Sequence, residues 1–213
     1  MRHRKHFLGQ GVFALIIAIL IVVSLTPSGA DQAVLAEGDD PGRESDLEGP
    51  WIPLYEEFVW RERYDHTSVV LPDDTIVMMG GFGQGGDYLN DVWRSTDGGQ
   101  TWTEMNQSAA WSPRSDHVSV VLKDGSILLM GGRGEDGRLN DVWHSADMGA
   151  TWTQVTESAA WSDRDDFAAV VLPSDGSIVL MGGGYFMNDV WKSTDNGQSW
   201  VEVIAEAKWE GRH

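Results

Sequence analysis

The chain contains no cysteine, so no disulfide braces it and no thiol chemistry is open to it. Basic residues are scarce: 15 Lys and Arg stand against 33 Asp and Glu, a net charge of −18. All 33 acids lie after position 30 with only 12 of the basic residues, so that part carries −21. Such a surface repels nucleic acid and anionic membranes, which both select a basic face. It favours solubility, cations or basic partners. An excess of Asp over Lys is also a composition suited to high salt, and composition does not separate the two. Helical periodicity is absent after residue 30. No Ser-His-Asp arrangement, phosphate loop or metal-ligand spacing stands out, which removes the commoner enzymatic readings.

The first thirty residues form a separate object. "MRHRKHF" is basic, "VFALIIAILIVVSL" (12–25) is apolar, and "TPSGA" ends in small residues at Ser28 and Ala30. That order predicts a secretory signal peptide cut after Ala30, with Pro27 breaking the helix near the cut. The alternative is an uncleaved anchor, since the apolar run Phe7 to Leu25 nearly spans a bilayer. Either way, the remainder is placed outside the cytoplasm: secreted or at the cell surface. An acidic linker follows at 31–50.

From Trp51 the chain is periodic. Trp60, Trp111, Trp161 and Trp209 recur at intervals of 51, 50 and 48 residues, each followed three places later by Arg63, Arg114, Arg164 or Arg212. "NDVW" recurs at 90–93, 140–143 and 188–191, and glycine pairs at 80–81, 131–132 and 182–183. A period near 50 points to a propeller blade or a solenoid unit. Within one unit we read strand A at 66–71, B at 75–80, C at 89–95 and D at 101–106. A and B are almost continuously apolar and β-branched, as strands covered on both faces are. D mixes polar and apolar residues, as an outer strand does. "KDGS" (123–126) and "SDGS" (174–177) supply the Asp-Gly of a tight A–B hairpin. Four short antiparallel strands per repeat predict an all-β chain of four-stranded propeller blades.

The glycine doublet followed by an aromatic-bearing strand C ("MMGGFGQGGDYLNDVW", "LMGGRGEDGRLNDVW", "LMGGGYFMNDVW") resembles the Kelch repeat. The C–D turns "STDGGQTW", "SADMGATW" and "STDNGQSW" resemble the Asp-box of BNR and sialidase-like proteins. The resemblance covers about 51–213. It implies blades at 60–110, 111–160 and 161–208, a lone outer strand D at 51–59, and the start of a further blade at 209–213. Three blades fall short of the typical 4–8 that close a ring, so the expectation is an open arc. The chain would then be a fragment of a longer frame, or copies would assemble into one ring.

Each Asp-box reads as a structural turn. Its Ser (Ser95, Ser145, Ser193), Asp (Asp97, Asp147, Asp195), Gly (Gly99, Gly149, Gly197) and Trp (Trp102, Trp152, Trp200) would close backbone donors, bend the chain and pack beneath the hairpin. Ca²⁺ is the minority alternative to no cofactor and no metal, since one carboxylate per loop is thin ligation. On the opposite face, where the resembling propellers bind ligands, Arg63, Arg114 and Arg164 would either hold an anionic sugar or pair with Asp65, Asp116, Asp166 or another blade acid. The B–C loops vary most, which makes Phe82, Tyr88, Arg133, Arg138, Tyr185 and Phe186 candidate ligand contacts.

A sialidase needs a nucleophilic Tyr with a Glu partner, and an Arg-Ile-Pro motif before its first Asp-box; the motif is absent and no Tyr has that context. Copper chemistry of the galactose-oxidase-like fold needs a Tyr-Cys cross-link. His66 and His117 share a position with Phe167, which fits packing. No catalytic residues are assigned, and enzyme status leans to no. The favoured reading is an exported, non-enzymatic propeller binding a glycan or protein. The alternatives are part of a carbohydrate-active enzyme and a self-associating envelope or adhesion component.

Overall fold

Asp-Gly turns and Gly-rich doublets chop this chain into short strands, and the computed structural model shows thirteen of them with no helix among the described residues, 59–184 and 186–209. The expected leader, the acidic linker, residues 51–58 of the expected lone strand and residues 210–213 lie outside those residues. Blade 1 comprises β1 (Arg63–Tyr64), β2 (Thr67–Val70), β3 (Ile76–Gly83), β4 (Tyr88–Ser95) and β5 (Thr103–Asn106). Blade 2 comprises β6 (Val118–Val121), β7 (Ile127–Gly134), β8 (Gly137–Ser145) and β9 (Thr153–Thr156). Blade 3 comprises β10 (Ala168–Val171), β11 (Ile178–Gly183), β12 (Met187–Ser193) and β13 (Val201–Ile204). Each blade is an antiparallel meander in chain order, and β1 adds to β3 through Arg63↔Gly83. The described blades do not close a ring.

The sequence places the end of strand B at the glycine doublet; in blades 1 and 2 the strand runs on, β3 to Gly83 and β7 to Gly134, while in blade 3 β11 ends on its doublet at Gly183. The ladder instead shifts register between Met79 and Gly81, a bulge built on positive φ at Gly80 (61°) and Gly81 (104°). Close approach explains the choice of residue: a Cβ on Gly81 would stand 2.8 Å from the His66 Cβ and from the Tyr64 carbonyl.

The core lies between blades. Strand B carries it because alternate residues face opposite neighbours. In β7, Ile127 and Leu129 join Val69, Leu71, Val77, Met79 and Val92 of blade 1. Leu128 and Met130 join Phe167, Ile178 and Leu180 of blade 3. Each junction is sealed by a tryptophan pair packed edge to face, Trp111–Trp152 and Trp161–Trp200, with ring centres 6.0 Å apart. The inner strands β2, β6 and β10 lie side by side, which brings the D–A loops together around the blade axis.

Candidate binding surface

The recurring arginines are the most constrained side chains on the loop face. Arg114 is completely covered; its Nη1 and Nη2 donate to the two carboxylate oxygens of Asp141 at 2.6 and 2.8 Å, and Nη1 also donates to the Gly131 carbonyl at 2.9 Å. Arg63 and Arg164 repeat this fork with Asp91 and Asp189. Each guanidinium also lies 5.8–5.9 Å from the ring centre of its own repeat tryptophan. The partner is therefore the Asp of "NDVW", not Asp65, Asp116 or Asp166. Burial pushes the Asp91 and Asp189 carboxyls up, but hydrogen bonds from the arginine and from Trp93 or Trp191 outweigh it and hold both below the usual value. The remaining residues of the tetrad are explained in the same way. The Asn90 amide donates to the Ala109 and Trp111 carbonyls, fixing the D–A loop, and Val92 is core.

Asp65, Asp116 and Asp166 do something else. All three have positive φ (52–54°), and they form a backbone ladder across blades: Asp116 N–H donates to Asp65 C=O and Asp166 N–H to Asp116 C=O. Burial, with the charges of Asp65 and Asp166 beside it, pushes the Asp116 carboxyl up to about 7, against a hydrogen bond from Ser115. Next to it, burial lowers His117 to about 3; its Nε2 is 2.8 Å from the Thr67 hydroxyl of blade 1.

The C–D turns on the other face are closed on themselves. In blade 2 the Gly149 N–H donates to Ser145 Oγ at 2.8 Å, Thr151 donates twice to Asp147, and Trp152 Nε1 donates to the Gly149 carbonyl. The turns at Asp97 and Asp195 repeat this. A Cβ on Gly149 would fall 2.6 Å from Val92 of blade 1, so this glycine serves both the turn and the blade contact.

The B–C loops differ from one another in what they present. In blade 1, Tyr64, Phe82 and Tyr88 form an aromatic cluster with neighbouring ring centres 5.5 and 4.9 Å apart, and Tyr64 is exposed. In blade 2, Arg138 and Arg133 both reach Asp165 of the next D–A loop, at 2.5 and 3.8 Å. Phe186 of blade 3 is exposed, and Tyr185 lies outside the described residues. Between the first two loops opens a cleft of about 410 Å³, lined among others by Asp87, Tyr88, Pro113, Glu135, Asp136 and Leu139. Its size suits a ligand or an inserted side chain. Asp87 is held by Arg61 at 2.8 Å, whereas Glu135 and Asp136 are exposed on the rim. Sequence reasoning singled out Tyr88 here but missed Glu135 and Asp136. Their only signal was that they break the repeat. No group of three or more His, Asp or Glu side chains among the described residues could hold a metal ion.

The family model of the KLHDC2/KLHL20/DRC7 Kelch-repeats domain matches residues 52–211. No curated protein matches the chain.

Proposed function

Because the chain belongs to the Kelch-repeat family, we propose that it is an exported, non-enzymatic propeller module that binds a partner protein through the cleft between its first two B–C loops. Export rests on the leader-like order of residues 1–30. The observation that carries the binding reading is the contrast in the cleft itself: Asp87 is paired with Arg61, while Glu135 and Asp136 stand exposed beside the apolar surfaces of Tyr88, Pro113 and Leu139. An acidic rim on a strongly acidic chain selects a segment bearing Lys or Arg and repels acidic competitors.

Peptide display against the intact chain tests this. Basic peptides should be enriched on the wild type and lost on the double variant Glu135→Lys/Asp136→Lys. Enrichment that ignores peptide charge, or that survives the double variant, counts against the cleft. The exposed Tyr64–Phe82–Tyr88 cluster supports a second reading, a glycan stacked on aromatic rings. Glycan-array binding abolished by Tyr64→Ala would favour that reading over the first.

A further inference from the structure

Three departures from the repeat meet at one place, between blades 2 and 3. Arg138 stands where blade 1 has Tyr88 and blade 3 has Phe186. Asp165 stands where the other blades have Tyr64 and Ser115, and Gly184 where they have Phe82 and Arg133. In blade 1 these three positions make a cluster of rings within the blade, Tyr64–Phe82–Tyr88. Here they make a bridge instead. Arg138 crosses from the β7–β8 hairpin, and its Nε donates to Asp165 Oδ1. Gly184 leaves the room for this, since a Cβ there would collide with that oxygen and stand 2.9 Å from Arg138 Nη2. The Gly184 N–H also donates to the Asp165 carbonyl at 2.8 Å, which fixes the acid to blade 3.

The hairpin needs such a partner. Arg133 and Arg138 lie directly opposite each other across β7 and β8, where like charges repel. Buried Asp165 is the acid that both reach. The next residues, Gly134 and Leu139, alternate to the other face and line the cleft beside Pro113. Glu135 and Asp136 form the two-residue tip between the strands. The arm 133–138 therefore rests its arginine face on blade 3 and carries its acids on the cleft rim. Across the cleft, Asp87 is braced by both Nη groups of Arg61, from the D–A loop of blade 1. Each wall of the cleft is tied to a D–A loop.

We propose that Asp165 is a positioning residue for the cleft: from the neighbouring blade it latches the 133–138 arm through Arg138 and Arg133, and so holds Glu135 and Asp136 where a basic segment meets them. This rests on the cleft reading above. Asp165 acts through the arm and touches no ligand. Acids on a held arm lose less freedom on binding than acids on a loose hairpin, so the latch favours affinity without adding a contact.

Amide hydrogen exchange on the intact chain reads the arm with no ligand present. Asp165→Ser, which copies Ser115 of blade 2, should speed exchange at 134–138 by at least about tenfold while 127–130 in the core stay as in the wild type. The basic peptide most enriched on the wild type should bind this variant about tenfold more weakly. Arg138→Gln releases the latch from the other side. The double variant Asp165→Ser/Arg138→Gln, which leaves no buried acid at the latch, should match the single variants rather than compound them. Exchange at 134–138 that stays at the wild-type rate in all three variants overturns the proposal. So do effects that add in the double variant, and so does peptide binding lost while the arm stays slow. Failure of the cleft reading looks different: Glu135→Lys/Asp136→Lys would keep the wild-type peptide affinity, while Asp165→Ser would still loosen the arm.

Discussion

Asp141 and Asp136 belong to the same hairpin of blade 2 yet have opposite environments. Asp141 is buried, bonded by both Arg114 Nη groups and by Trp143 Nε1; Asp136 is exposed on the rim of a cleft. The first recurs in every blade and the second in none. The difference teaches how to read this molecule: what repeats builds the blade, and what breaks the repeat is free to meet something else.

The sharpest way to break the comparison is at the buried pair. Arg114→Ala leaves Asp141 as an uncompensated, largely buried carboxylate, and should cost about 3–5 kcal/mol, read by chemical denaturation. A loss below about 1 kcal/mol would mean the fork is dispensable to the blade. A smaller effect is expected in the C–D turn. Ser145→Ala strips the buried Gly149 N–H of its acceptor and should cost about 1–3 kcal/mol.

Titration separates two groups that both lie at the first junction. His117 titrates near 6.5 when unfolded and about 3 when folded, so the stability it contributes is lost as the pH falls through that window. Asp116 has the reverse sign: its folded value of about 7 exceeds the ordinary 3.8, so stability falls as the pH rises from about 4 to about 7. In the wild type the two trends oppose. His117→Phe, which copies Phe167 of the next blade, removes the first and should leave a chain that melts higher at pH 5 than at pH 7. Asp116→Asn removes the second, and its melting temperature should instead drop toward acid. Identical pH profiles for both variants would contradict the assignment.

Much of this was legible in the sequence. Periodic tryptophans, Asp-Gly turns and continuous apolar strands are local signals, and they indicated four-stranded blades with an A–B hairpin where the structure has one. Three features escaped because they depend on which residues touch. Arg114 finds its acid 27 residues away in strand C, so neighbours such as Asp116 looked like better partners. The glycine doublet read as a strand end, because glycine spacing does not show that a side chain from the next blade needs the room. The aspartate ladder joins three blades, and no window within one repeat contains it. The cleft was hidden for the opposite reason, since Glu135 and Asp136 match nothing else in the chain.

The measurement that bears most directly on the account is a paired one on Glu135→Lys/Asp136→Lys: thermal unfolding, and binding of the basic peptides selected on the wild type. Exposed surface changes outside the framework should leave stability within about 0.5 kcal/mol. The account predicts an unchanged melt with binding lost by at least about tenfold, the effect of about 1.4 kcal/mol. Binding that persists at wild-type strength would contradict it, and so would a melting temperature that collapses as it should for Arg114→Ala.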